Sequence, residues 1–184
     1  MSGGITNIPT SLFGAFILEP RVFRDERGFF FESYNQRLMA EAGIVDNFVQ
    51  DNHSCSSRNV LRGLHYQVKH PQGKLVRVVE GEILDVAVDL RRSSPTFGRY
   101  ESVLLSGESK RMFWIPTGLA HGFLVLSEKA HVLYKATDFY APEYERTLAW
   151  NDPQVNIEWP MKGEPIVSAK DQRGAALADA ETFE

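Results

Sequence analysis

From Lys74 to Leu90 the chain alternates apolar and polar residues on both sides of a single break. Val76 and Val78 share one face, Glu80-Gly81-Glu82 has turn composition, and Leu84, Val86, Val88 and Leu90 resume the period of two. That period marks half-buried strands. Residues 91–98, RRSSPTFG, form a loop by their Ser, Pro and Gly content. Strand, turn, strand then repeats over 99–116 and again over 120–139. Short strands at this spacing predict a sandwich or barrel with antiparallel pairing. Two brief helices are expected, one over 36–42 ending at Gly43, the other near the C-terminus from Ser168, where Asp171 has capping-box spacing and Gly174 is a weak point.

Strict alternation sorts the polar residues. In 61–67 it puts Leu61, Gly63, His65 and Gln67 on one face and Arg62, Leu64 and Tyr66 on the other. His121 sides with Phe123 and Val125, and Tyr134 with Val132 and Ala136. His65, His121 and Tyr134 could each be a satisfied core residue. Together they point into a barrel able to hold one small ligand. Arg24, Arg27, Arg62 and Lys74 lie in or beside strands, and converging on a pocket they would suit a phosphate group. The aromatic run Phe29-Phe30-Phe31 reads as core, with a ring or two free to stack on a flat base.

Bulk properties narrow the classes. A chain of 184 residues fits one domain, 1–184, with one core. The net charge of −4 argues against a nucleic-acid or membrane surface. MSGGITNIPT lacks the pattern of a signal peptide, and no run approaches the roughly 18–20 apolar residues of a membrane helix. Cys55 is the single cysteine, so no intrachain disulfide forms, which suits the cytoplasm; HSCSSRN around it reads as a polar loop, and the thiol as buried or incidental rather than a nucleophile. The five histidines, at 53, 65, 70, 121 and 131, include no H-x-H, so no metal site is expected.

Several long segments, in order, carry a resemblance: FRDERGFFFESYN (23–35), FVQDNHS (48–54), NVLRGLHYQ (59–67), QGKLVRVVEGEILDVAVDLRRSSPTFG (72–98), WIPTGLAHGF (114–123), LYKATDFYAPEYE (133–145) and WNDP (150–153). Together they resemble the dTDP-4-dehydrorhamnose 3,5-epimerase family, over about residues 12–172. P-x-G-x-x-H at 116–121 alone would indicate only a cupin. The resemblance implies a mainly β fold, a cupin-type antiparallel β-barrel (jelly roll) with short helices near the N- and C-termini. It also implies a dTDP-linked 4-keto-6-deoxy sugar as substrate, no cofactor, no metal, and a homodimer in which part of the N-terminal region reaches the partner's site.

Roles follow motif by motif from the resemblance. His65 is similar to the general base, Tyr134 to the general acid, Asp171 to the aspartate paired with the base, and Lys74 to the lysine beside the substrate carbonyl. Arg27, Glu32, Gln50, Asp51, Asn52, Arg62, His121, Glu145 and Lys170 match positions lining the nucleotide-sugar site. Phe29, Phe31 and Tyr140 are candidates to stack on thymine, and the VKHPQGK loop (68–74) departs from some relatives in length and composition. The chemistry fits the residue types. Carbons 3 and 5 flank a ketone, so inversion needs a base on one face, an acid on the other and a cation for the enolate oxygen. Three alternatives stay open at this point: a one-carbon epimerase or ketoisomerase of the same fold, a metal-dependent cupin, and a non-catalytic sugar-nucleotide binder.

Overall fold

A computed structural model describes residues 4–184; residues 1–3, the start of the segment read as lacking a signal peptide, lie outside the described residues. The strands in chain order are β1 (Ile5–Pro9), β2 (Phe16–Pro20), β3 (Phe23–Asp25), β4 (Gly28–Phe30), β5 (Gln50–Ser57), β6 (Val60–Gln67) and β7 (Lys74–Glu80). They continue with β8 (Glu82–Asp89), β9 (Tyr100–Ser106), β10 (Met112–Ile115), β11 (Leu119–Val125), β12 (Lys129–Ala136), β13 (Glu145–Thr147) and β14 (Ile166–Val167). One sheet has the order β1-β2-β10-β7-β12-β5, and the other β13-β6-β11-β8-β9 with β14 parallel to β6. β3 and β4 form a separate hairpin. Among the described residues no helix is long and apolar enough to cross a membrane.

The turns fall where the alternation breaks, but most of them join the two sheets rather than close hairpins. β7 and β8, β9 and β10, and β11 and β12 each sit in different sheets. Gly81 makes the first of these crossings at φ +85, where an added Cβ would lie 2.1 Å from the Lys129 carbonyl oxygen. The result is the expected jelly-roll pairing, in which Val76, Val78, Phe113 and Val132 face Ile83, Ala87, Leu105 and Phe123 across a shared interior.

Both sheets are also covered from outside, which explains why β8 and β11 are buried nearly throughout. Val86, Val88 and Leu90, with Leu84 beside them, point away from the interior onto Leu148, Val155 and Leu177 of the C-terminal segment. The inward set of β8 is Ile83, Asp85 and Ala87, so a buried acid stands between two core residues on the face opposite the alternating set. Leu18, Leu75 and Met112 on the other outer face are covered by Met39 and Ile44. Each such fully buried side chain contributes about 1.5–3 kcal/mol relative to exposure.

α1 (Gln36–Glu41) is capped by Asn35, whose side chain accepts from Arg37 N–H and Leu38 N–H, and it ends before Gly43 at φ +105. The C-terminal helix expected from Ser168 does not form. Only one 3-10 turn, Asp171–Arg173, is present, although Asp171 N–H does donate to Ser168 Oγ at 3.1 Å. Gly174 leaves in extended conformation because it packs against Ala149 and Leu148, and Ala175 then bridges to Leu148. Two further expectations are corrected. Phe29 and Phe30 are not core but 53% and 67% exposed on the β3–β4 hairpin, which lies on neither sheet. Cys55 is exposed rather than buried, and its surroundings are edge strand β5, not a loop.

Candidate active site

One end of the interior is polar. His65 from β6, His121 from β11 and Glu145 from β13 face Lys74 from β7, Tyr134 from β12 and Ser54 from β5 across a cavity of about 210 Å3. The imidazole and the phenol thus belong to opposite sheets of one hollow.

Arg62 and His65 line the same cavity although strict alternation separates them. β6 explains this with a bulge. His121 pairs with His65 and Phe123 pairs with Arg62, so Gly63 and Leu64 together oppose Gly122 alone. The extra residue shifts the phase, leaving Leu64 and Tyr66 on the outer face and His65 and Gln67 within. Gly63 sits at φ +108, and a Cβ there would meet Gly122 Cα and the His121 oxygen, both at 2.6 Å. Gly63→Ala is therefore expected to cost on the order of 3 kcal/mol, read as a lower denaturation midpoint. An unchanged midpoint would mean that the bulge does not depend on glycine.

His65 is oriented from behind. Its Nε2–H donates to Asp171 Oδ1 at 2.6 Å, and Gly63 N–H donates to Oδ2 at 3.2 Å. Burial by itself would raise the Asp171 carboxyl, but the His65 hydrogen bond and charge, with Gly63 N–H, hold it below the usual range. An ionised Asp171 fixes the proton on Nε2 and leaves Nδ1 as the basic lone pair. The bulge, the 3-10 turn and the base are one assembly.

A second buried pair stands beside it. His121 Nε2 meets Asp85 Oδ1 at 2.7 Å, both nearly inaccessible. Burial, outweighing Asp85, lowers the His121 pKa and keeps the ring neutral. The rings of His121 and Tyr134 meet edge-on at 6.4 Å. Burial, then the Glu145 charge, raises the Tyr134 phenol, so it stays protonated and able to donate. Lys74 is buried and its Nζ donates to the His65 carbonyl at 3.2 Å. Desolvation pulls its pKa down to about 8 against the pull of Glu145 and Asp85.

At the mouth, Glu145 accepts from Lys170 at 2.5 Å and from the Tyr140 hydroxyl at 2.7 Å. Burial pushes the Glu145 carboxyl up, but these two partners and His65 carry it below its ordinary value. Arg62 Nε donates to Ser56 Oγ at 3.0 Å. Gln67 ties the rim loops together, donating to the His70 and Phe139 carbonyls and accepting from Ala141 N–H, and Gln50 accepts from Tyr140 N–H.

Thus His65, Tyr134, Lys74, Arg62, His121 and Glu145 line one cavity, with Asp171 and Lys170 bonded directly to its members. Arg27 and Glu32 do not join it. Arg27 pairs with Asp25 on the exposed hairpin, and Glu32 accepts from Asn35. Asp51 faces outward and pairs with Lys135, because alternation in β5 turns it away from Asn52 and Ser54. Asn52 lies beside Tyr134 in register and bonds Gln50. Asp85, Ser54, Gln67 and Gln72 were missed as site residues. Asp85 carried a signal, a carboxylate inside an apolar strand; the others had none beyond their motifs. Among the described residues no three His, Cys, Asp or Glu side chains gather as a metal-binding set.

A family model for dTDP-4-dehydrorhamnose 3,5-epimerase matches residues 9–179. The chain belongs to that family. The Pseudomonas aeruginosa protein of this name is 62% identical over 168 residues, 91% of this chain and 93% of its own length. A Legionella pneumophila 3,5-epimerase, solved with dTDP-4-keto-L-rhamnose, superposes with a TM-score of 0.93 at 50% identity, covering 96% of this chain and 95% of that one. A 3'-monoepimerase from Streptomyces bikiniensis, solved with dTDP-quinovose, superposes at 0.87 with 35% identity, over 93% and 87% of the two chains. The fold of this epimerase family therefore accommodates both double and single inversion.

Proposed function

We propose that this chain converts dTDP-4-dehydro-6-deoxy-D-glucose to dTDP-4-dehydro-L-rhamnose by inverting carbons 3 and 5. The observation that carries the reading is His65, backed by Asp171, facing Tyr134 across one cavity. His65 Nδ1 takes the proton from a carbon beside the ketone, and the electron pair moves onto the 4-oxygen. Lys74 stands beside the base to stabilise that enolate, a contribution of about 3–4 kcal/mol for one preorganised donor. Tyr134 returns a proton from the opposite face, which inverts the centre; the phenolate then regains a proton from solvent and the imidazolium of His65 gives up its own to solvent, which resets the pair for the second carbon. No electrons leave the sugar.

Arg62, Lys170, Gln50, Asn52 and the rim tyrosine Tyr140 are suited to the diphosphate and base. The homodimer belongs to this proposal. The hairpin holding Arg27, Phe29 and Phe30 is exposed and lines no part of its own catalytic cavity, which leaves it available to a second copy. A cytoplasmic setting fits the single exposed thiol.

Incubation with the keto sugar in heavy water tests the reading. Deuterium at C3 and C5, with both centres inverted on NMR, is expected. Exchange at one carbon would favour a single-carbon epimerase, and no exchange would overturn the proposal.

Lys74 gives a pH signature. Its pKa of about 8 means that kcat should decline as pH rises through 8 and the ammonium is lost. Stability should move the other way. Folding depresses this group from 10.5 to about 8, so between those values the unfolded chain holds more protons and stability rises with pH. Lys74→Met should remove both limbs and lower kcat by about 10²–10³-fold.

A further inference from the structure

The outer face of the six-stranded sheet bears a second cavity, of about 170 Å3, which shares Tyr134 with the catalytic cavity but takes its charged residues from the outward side of the strands. Ser33 and Tyr34, just before α1, form one wall; Asp51, Arg77, Met112 and Lys135 form the other. Arg77 and Lys135 occupy the outward positions of β7 and β12, in phase opposite to Val76 and Tyr134.

The charges here are unbalanced. Lys135 is held by Asp51 at 2.9 and 3.0 Å and lies 4.7 Å over the Tyr34 ring. Arg24, Arg27, Arg91, Arg111 and Arg146 each hold a carboxylate. Arg77 is half-buried, with the Phe31 ring 5.8 Å from its Cζ, and among the described residues no side chain pairs with its guanidinium. Burial is the influence that lowers its basicity, with no acid offsetting it. A desolvated fork of donors, a hydroxyl at Ser33 and a net charge of one positive unit together match an anion with two terminal oxygens.

We propose that this cavity binds a small oxyanion, a phosphate or carboxylate group, through the Arg77 fork beside Lys135 and Ser33. The inference does not rest on the proposed function, since Arg77, Lys135 and Ser33 do not line the catalytic cavity.

The test fills the nucleotide site with dTDP, then titrates inorganic phosphate or acetate at constant ionic strength. Thermal unfolding and the Arg77 Nε–Hε resonance are followed. A saturable rise in Tm with a moving Arg77 resonance is expected for at least one anion, and comparing the two separates phosphate from carboxylate. Arg77→Met should lose the saturable rise and keep turnover within about twofold. Arg77→Lys, which keeps the charge and loses the fork, should weaken binding about fivefold. If Arg77→Met does not fold, Arg77→Lys and the resonance decide. No saturable rise with either anion, an unmoved resonance, or an undiminished rise in the folded variants would overturn the site.

Discussion

Replacing His65 by Asn is expected to lower epimerisation by about 10³–10⁴-fold and to stop deuterium entry at both carbons. The shorter asparagine gives up the Nε2 contact, but Asp171 keeps its bonds to Gly63 N–H and Ser168 Oγ, so the bulge and the 3-10 turn should survive; the amide has no basic lone pair to take a proton from carbon. His121 cannot substitute. Its Nε2 is committed to Asp85 and burial keeps its ring a poor proton acceptor. Binding of dTDP should be little changed, which separates lost chemistry from lost folding. Near-normal exchange in the variant would remove His65 from its role and, with it, the reason for the Asp171 contact.

Replacing Tyr134 by Phe should have a different signature. Inversion falls by about 10²–10⁴-fold, while solvent exchange at a carbon within reach of His65 continues. The base can return deuterium to the face from which it took a proton, giving exchange with retention. Only a donor on the opposite wall turns exchange into inversion, and the raised phenol of Tyr134 is protonated for that task. The ring's edge-on contact with His121 needs no hydroxyl, so packing should hold. An NMR time course following deuterium content and configuration together checks this. Equal loss of both would place the phenol in proton removal; full retention of inversion would exclude it as the acid.

The effects differ because the two groups meet through the fold, not along the chain. His65 and Tyr134 belong to strands separated by β7 to β11 in sequence, and each was legible as an inward polar residue on an apolar face. Lys74, Glu145 and Lys170 were legible through motifs. Arg27 and Glu32 were also named from a motif, and the fold places them on surfaces their own cavity does not reach.

Local pattern was sufficient for the strands from 74 to 136, the helix after Asn35 and its end before Gly43, because periodicity and capping are properties of neighbours in sequence. It also limited the polar residues able to face a barrel interior. Three features required the tertiary structure. The phase of β6 reverses at a bulge that exists only because Gly63 lies against Gly122. Leu84, Val86 and Val88 of β8 point outward because a C-terminal segment covers them. Asp171 abandons a helix cap for His65 because Gly174 packs on Ala149 and redirects the chain. In each case a contact between residues distant in sequence outweighs a local preference worth about 1 kcal/mol or less.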